Sequence, residues 1–351
     1  MDDIAVLITG VGAPGVKGTI FSLVNNSDNR RIKIVGTDIM TGVIGQFLCD
    51  KFYQIAKPAT SEYLMELLSI CEKESIDVIL PQNTLELSIL AKHKDEFNEL
   101  GSNIAISSSS AIDISNNKFK LLSLAKEIGV PTTDFYLVDN FENLVNCAEK
   151  LGWPNEQIII KPPISNGMRG LRVINESVNI KELFYTEKPN NINITMDGLR
   201  SILGDYFPSL LVMDYLPKDE YTVDILNADL ITVIPRKRDL IRSGITFNGT
   251  TEENYDIIKY SKKLTQKTGL EYAHGFQFKL DDNGIPRLLE SNPRIQGTMV
   301  LSTLAGANII YGAVKHALNE FVGEFDIKWG TRLIRYWGGI GVYGKNIIGP
   351  I

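Results

Sequence analysis

The sequence is short of the residues from which metal clusters and covalent cross-links are built: of 351 residues, three are cysteine and three histidine. Cys49, Cys71 and Cys147 are odd in number and widely spaced, which argues against a disulfide framework or a zinc site and leaves core thiols as the expectation. His93, His274 and His316 show no metal-ligand spacing; His93 and His316 stand in helix-like stretches and are expected to be structural. No apolar run approaches a membrane span, and the Met-Asp-Asp-Ile start lacks the basic residues of a secretory signal, so a soluble, cytoplasmic protein is expected. Positive charge is not in excess either: 36 Lys and Arg against 42 Asp and Glu give −6. That balance argues against a nucleic-acid scaffold, although local basic clusters can still hold one small polyanion. Apolar residues are plentiful, at 44%, and the length exceeds one ordinary core, so two or three domains are expected.

The first 90 residues read as an alternating α/β unit. Residues 4–9 are a short apolar run ending in Gly10-Val11-Gly12-Ala13-Pro14-Gly15, followed by a helix-compatible stretch and a second apolar run that closes on Gly36-Thr37-Asp38. This literal G-x-G-x-x-G with a later acidic residue suits a dinucleotide site, and it equally suits any tight strand-to-helix crossover. Residues 63–74 are amphipathic and residues 76–81 form a buried parallel strand ended by proline. Glu86 lies beyond that strand's carboxyl end, where it would either meet a substrate amine or complement the next helix start.

Residues 107–115 are small and polar, a boundary signal. Lys118 then opens a helix that Gly129 ends; a lysine there works against the macrodipole, so either an anion lies nearby or the side chain is exposed. The strand Ile158-Ile159-Ile160 ends in Lys161, and a loop carrying Gly167, Met168, Arg169 and Gly170 leads to a strand over residues 171–174. Such a loop is either an ordinary hairpin loop or a backbone cradle for phosphates, with Lys161 as the point charge. After a poorly patterned stretch, residues 175–209, a strand expected from Leu210 carries Met213, Asp214, Tyr215 and Leu216 and breaks at Pro217. The freed backbone groups there can pair with a purine edge, and Asp219 or Glu220 can take ribose hydroxyls. Arg236, Lys237 and Arg238 concentrate charge after an apolar run, and residues 255–268 form an amphipathic helix ended by Gly269.

The segment from Gln277 to Arg294 alternates, turns at Asp282-Asn283-Gly284 and resumes, which is a β-hairpin. It puts Gln277 on one strand and Glu290 and Asn292 on one face of its neighbour, with Arg294 two residues further on. One carboxylate and two amide oxygens are a ligand set that Mg²⁺ accepts when phosphates and waters complete its octahedron; a solvated polar face is the alternative.

Together these segments resemble the ATP-grasp superfamily, most closely its carbamoyl-phosphate-synthase-like branch, in which an E-x-N-P-R segment like Glu290-Ser291-Asn292-Pro293-Arg294 closes the metal site. The resemblance covers nearly the whole chain. It implies a Rossmann-like pre-grasp domain with a parallel sheet over residues 1–115, a small ATP-grasp lobe over 116–195 and a large lobe with antiparallel sheets over 196–351. It makes Lys118 and Lys161 the cations on the nucleotide phosphates, Gly167 to Gly170 the phosphate-covering loop, Met213 to Leu216 the adenine-facing hinge and Glu220 (or Asp219) the ribose ligand. Gln277, Glu290 and Asn292 become Mg²⁺ (or Mn²⁺) ligands, the neutral Gln277 leaving one or two metals open, and Arg294 with Arg236 or Arg238 would hold the transferred phosphoryl and a substrate carboxylate. Asp214 stands where E-Y-L-P is more usual. Gly12, Glu86 and His274 are candidate substrate contacts. The implied activity is an ADP-forming carboxylate–amine (or ammonia) ligase working through an acyl phosphate on small molecules. An NAD(P)-dependent oxidoreductase using Gly10, Gly12, Gly15 and Asp38, and a non-catalytic ATP-binding module, are the alternatives. The aromatic, glycine-rich residues 329–351 would pack on the core or make a homodimer contact.

Overall fold

The computed structural model describes residues 3–165, 167–186, 192–242, 244–344 and 346–350. Five short strands, β1 (Ile4–Thr9), β2 (Ile32–Asp38), β3 (Lys51–Gln54), β4 (Val78–Leu80) and β5 (Asn103–Ile104), form a parallel sheet in the order β3-β2-β1-β4-β5. Central β1 is apolar at nearly every position because both of its faces are covered. Ile4, Val6 and Ile8 join Val16 and Leu23 of the helix Val16–Val24, while Ala5 and Leu7 join Tyr63, Leu67 and Ile70 of the helix Glu62–Glu74.

A second sheet comprises β6 (Phe135–Asn140), β7 (Ile158–Lys161), β8 (Arg172–Ile174), β9 (Asn193–Ile194) and β10 (Tyr206–Asp214), ordered β6-β10-β7-β8-β9. It is antiparallel except for the β8–β9 pair. A third sheet, ordered β15-β14-β11-β12-β13-β16, contains β11 (Glu220–Asn227), β12 (Ile231–Arg242), β13 (Ile245–Thr251), β14 (Tyr272–Leu280), β15 (Pro286–Asn292) and β16 (Arg332–Ile334). The mixed α/β class, a parallel sheet followed by antiparallel ones, is the expected one.

The chain divides into two compact units, and both are discontinuous where three consecutive segments were expected. One comprises Met1–Ser115, Glu220–Gln277 and Ser291–Ile351; the other comprises Asn116–Asp219 and Phe278–Glu290. The far ends of β14 and β15 join the second unit because their backbone bonds there: Leu280 N–H donates to the Asp219 carbonyl at 2.9 Å and Leu288 N–H to that of Pro131 at 2.9 Å. Asp281 shapes the turn between them, accepting N–H bonds from Asn283 at 3.0 Å and Ile285 at 2.9 Å, with Gly284 at φ +78°.

The small, polar stretch over residues 107–115, expected as a boundary, does end a segment of the first unit at Ser115, and most of it is the helix Ser109–Asn116, which buries Ala111 and Ile112. Strand β10 starts at Tyr206 rather than Leu210, and its register shifts between Tyr206 and Leu210, the stretch that contains Pro208. Part of the stretch 329–351 packs on the core, one of its two expected roles: β16 extends the third sheet beside β13, and Trp337 packs on Phe247 with ring centroids 4.9 Å apart. Beyond it β17 (Ile340–Tyr343) and β18 (Asn346–Pro350) pair with each other. Cys71 is buried, Cys49 and Cys147 are half-buried, and all three are free thiols. Burial pushes the Cys49 and Cys71 thiols up to about 12, so both stay protonated near neutrality. No described helix is long and apolar enough to cross a membrane.

His274, a candidate substrate contact by sequence, is a core residue: it is fully buried on β14, with Nε2 3.0 Å from Thr265 Oγ1 and Nδ1 3.1 Å from the Tyr272 carbonyl. Burial lowers its pKa to about 4. The unfolded chain therefore takes up its proton first as pH falls. Stability should drop between about pH 6.5 and 4 by about 3 kcal/mol more in the native protein than in His274→Gln. Denaturant titrations at several pH values measure this, and parallel pH profiles for the two proteins would contradict it.

Candidate nucleotide and metal site

In the second unit, Asn117 caps the helix Lys118–Glu127 through its side chain, which accepts from the N–H groups of Phe119 and Lys120. This cap sets Lys118 as the first helical residue. The exposed-lysine alternative is excluded, because Lys118 is 4% exposed. Its Nζ donates to the Ser165 carbonyl at 2.8 Å and stands 3.4 Å from Glu290 Oε2 on β15. Lys161, at the end of β7, is 6% exposed, and its Nζ donates to the Leu289 carbonyl at 3.3 Å. Two ammonium groups that the sequence separates by 43 positions thus meet neighbouring residues of one strand, Leu289 and Glu290. Burying ammonium groups costs several kcal/mol unless anions or carbonyls compensate, and both kinds of partner are present.

The same unit carries the glycine loop and the strand break. Gly167, Met168 and Gly170 have φ of +59°, +62° and +75°, left-handed backbone that suits the two glycines and is uncommon for a side chain such as that of Met168. Asn166, in the same loop, lies outside the described residues. At the break, Met213 and Leu216 are buried, Tyr215 is partly exposed under Lys279 Nζ at 5.1 Å, and Asp214 Oδ2 accepts the Asp134 N–H at 2.9 Å. The Asp214 side chain is therefore occupied by backbone, and burial raises its pKa.

In the first unit, Gln277 is half-buried on β14, Asn292 ends β15, and Arg294 follows. Arg294 Nε donates to Thr84 Oγ1 at 2.9 Å and its Nη2 to Asn292 Oδ1 at 3.3 Å. Among the described residues no group of three His, Cys, Asp or Glu side chains could hold a metal ion. Of the oxygen donors expected from the sequence, Gln277 and Asn292 thus stand on β14 and β15 in the first unit, and Glu290 belongs to the second. Hard oxygens of this kind, few in number, suit an ion that draws its other ligands from phosphates and water.

Several expected contacts are placed otherwise. Arg236 is 1% exposed, paired with Asp224 at 2.7 Å and bonded to the Thr298 carbonyl at 3.1 Å, so it holds the fold together and does not face an anion. Arg238 pairs with Glu220 and donates further to Gly244 O at 2.6 Å and Thr246 Oγ1 at 2.9 Å, which occupies both the expected anion holder and the expected ribose ligand. Glu86 does not face solvent: it stands at the N-cap of the helix Leu87–Lys92, but its side chain makes no capping bond there. It is 2% exposed and accepts from the hydroxyls of Thr9 and Tyr63 and from the Gln82 and Asn83 N–H groups, while burial raises its pKa. The Gly12 N–H donates to Asp38 Oδ2 at 2.7 Å. A Cβ at Gly15 would lie 2.5 Å from the Gly297 Cα. Close packing thus accounts for these two glycines, and Asp38 also accepts the Met40 N–H at 3.0 Å. Residues that the sequence did not single out are Ser165, Thr84, Asp224 and Gln296. Asp224 alone carried a signal, an acid inside the apolar run Val223-Asp224-Ile225.

Known proteins resemble this chain in sequence and in fold. Residues 206–333 match the family described as ATP-grasp in the biosynthetic pathway with Ter operon, and residues 6–105 match the PylC-like N-terminal domain. The carbamoyl phosphate synthase large chain of Clostridium acetobutylicum is 23% identical over 320 residues, covering 88% of this chain and 27% of that protein. The arginine-specific large chain of Bacillus subtilis is 26% identical, covering 88% and 30%. The chain thus spans under a third of the length of these relatives. Among solved structures, N5-carboxyaminoimidazole synthetase of Staphylococcus aureus complexed with ADP superposes with a TM-score of 0.67 at 17% identity, covering 93% of this chain and 81% of that one. Biotin carboxylase of Campylobacter jejuni superposes at 0.68 with 16% identity, covering 92% and 73%. With a parallel N-terminal sheet followed by two antiparallel sheets, the chain shares the fold of these solved structures, and in sequence it is similar to an ATP-grasp family over residues 206–333 and to carbamoyl phosphate synthase large chains over most of its length.

Proposed function

We propose that the protein is an ATP-dependent, ADP-forming ligase that joins a small carboxylic acid to an amine or ammonia through an acyl phosphate. The observation that carries this reading is the convergence of Lys118 and Lys161 on Leu289 and Glu290. It supports the reading because two ammonium groups stand close to one carboxylate, so that the lysines would hold a polyphosphate and Glu290 would ligate the accompanying Mg²⁺.

A carboxylate is a poor electrophile because its charge is delocalised and its leaving group would be oxide. Transfer of the γ-phosphoryl to it creates a leaving group, and the amine then displaces phosphate from the acyl carbon. Phosphoryl transfer needs positioning and charge neutralisation more than covalent help. Lys118 and Lys161 would neutralise phosphate oxygens, the residues 167–170 would cover them with backbone N–H groups, and the Met213 to Leu216 backbone would meet the adenine edge. Arg294, tied to Thr84, would hold the transferred phosphoryl or the acid. Glu290 and Asn292, with Gln277 nearby on β14, would hold Mg²⁺, or Mn²⁺ in its place, which when bound neutralises charge developing on the phosphates. No nucleophilic side chain is required.

Two measurements test the reading. MgATP should stabilise the protein, by about 2.7 kcal/mol at a hundredfold excess over Kd, while NAD(H) should not; stabilisation by NAD(H) alone would favour the oxidoreductase. Incubation with MgATP and a panel of acids and amines should yield acid-dependent ADP release, and Glu290→Ala should reduce it by at least about 100-fold. Nucleotide binding with no ADP from any pair would instead identify a non-catalytic ATP-binding module, and activity of Glu290→Ala within a few-fold of native would overturn the metal assignment.

A further inference from the structure

Behind Asn292 lies a chain of groups whose hydrogen-bonding directions are fixed by chemistry. The Gln296 side chain is buried, 7% exposed, and packs over Gly275 of β14 so closely that a Cβ there would lie 1.8 Å from Gln296 Nε2. Its amide faces the Val223 carbonyl at 2.9 Å and Asp224 Oδ1 at 3.2 Å. Both of those groups only accept, so the atom facing them must be the NH₂. Gln296 Oε1 is thereby turned away from them, and Asn292 Nδ2 lies 3.5 Å from it. The orientation of Asn292 is set independently from its other side, since Arg294 Nη2, which can only donate, lies 3.3 Å from Asn292 Oδ1. Asp224 is itself immobilised, accepting from Arg236 Nη2 at 2.7 Å and from Ser302 Oγ at 2.6 Å.

The geometry points to Gln296, anchored by Asp224, as a positioning residue that fixes which end of the Asn292 amide is presented to a divalent cation. The inference rests on the proposal that Asn292 is a metal ligand. An amide offers a cation either an oxygen or an NH₂, and only the oxygen binds. With Gln296 Oε1 holding Nδ2, the oxygen keeps one lone pair for Arg294 and one for the ion. Groups that orient a ligand in this way affect metal affinity although they never touch the metal. The Asp224–Arg236 pair thus gains a role at the site that its burial conceals.

The test is Mn²⁺ binding in the presence of ADP, followed by the electron paramagnetic resonance signal of free Mn²⁺. Gln296→Met, which keeps the bulk and removes the amide, should weaken Mn²⁺ binding about 10- to 100-fold. An aspartate at position 292 presents oxygen whichever way it turns. In an Asn292→Asp background, therefore, Gln296→Met should change affinity by no more than about a factor of two, an outcome that general loosening of the fold would not give. Equal losses in both backgrounds, or native affinity in Gln296→Met, would overturn the positioning role and leave the metal reading intact. Failure of the native protein to bind Mn²⁺ with ADP would overturn both.

Discussion

The burial of two lysine ammonium groups against β15 is the constraint around which the nucleotide end of this protein is arranged. An ammonium group taken out of water costs several kcal/mol unless its donors are met, and Lys118 and Lys161 are each at least nine-tenths buried. Their partners fix three pieces of chain. The Lys118 N–H donates to the Pro163 carbonyl at 2.8 Å, its Nζ reaches Ser165 and Glu290, and Lys161 reaches Leu289. The start of one helix, the loop after β7 and the far end of β15 are consequently held as one body.

The other buried charges build the fold. Arg236 and Asp224 are almost completely enclosed, and Glu86 is enclosed with two hydroxyls and two backbone N–H groups as donors. Such groups shape loops: Glu86 sets residues 82–83, one step from Thr84, which Arg294 touches, and Asp224 fixes Gln296, which Asn292 touches. In both cases a buried carboxylate governs the position of a side chain that does not contact it.

How much of this was legible in the sequence depends on whether the signal was local. The parallel sheet showed in continuous apolar runs such as residues 4–9, the helix ends in Gly129 and Gly269 at φ +69° and +70°, and the β14–β15 hairpin in its Asp-Asn-Gly turn. Lys161 stood out because a cation ended an otherwise apolar strand. Partners distant in sequence left no such trace. Arg236 and Arg238 read as a basic cluster, yet they are paired with Asp224 and Glu220 from the preceding strand, a pairing that depends on a register no composition reveals. Glu86 bonds Thr9 and Tyr63, 77 and 23 residues away, and no pattern around residue 86 announces either. Likewise the G-x-G-x-x-G imitates a dinucleotide fingerprint, because close approach to Gly297 and the Asp38 hydrogen bond impose the same need for small residues as a pyrophosphate would.

The most direct measurement of the central claim is a crystal structure of the protein with MgADP. The account predicts phosphate oxygens within hydrogen-bonding distance of Lys118 Nζ and Lys161 Nζ, and a metal ion about 2.0–2.1 Å from a Glu290 oxygen. A nucleotide seated instead on the glycine turn between Gly10 and Gly15, with Glu290 still paired only to Lys118, would contradict it.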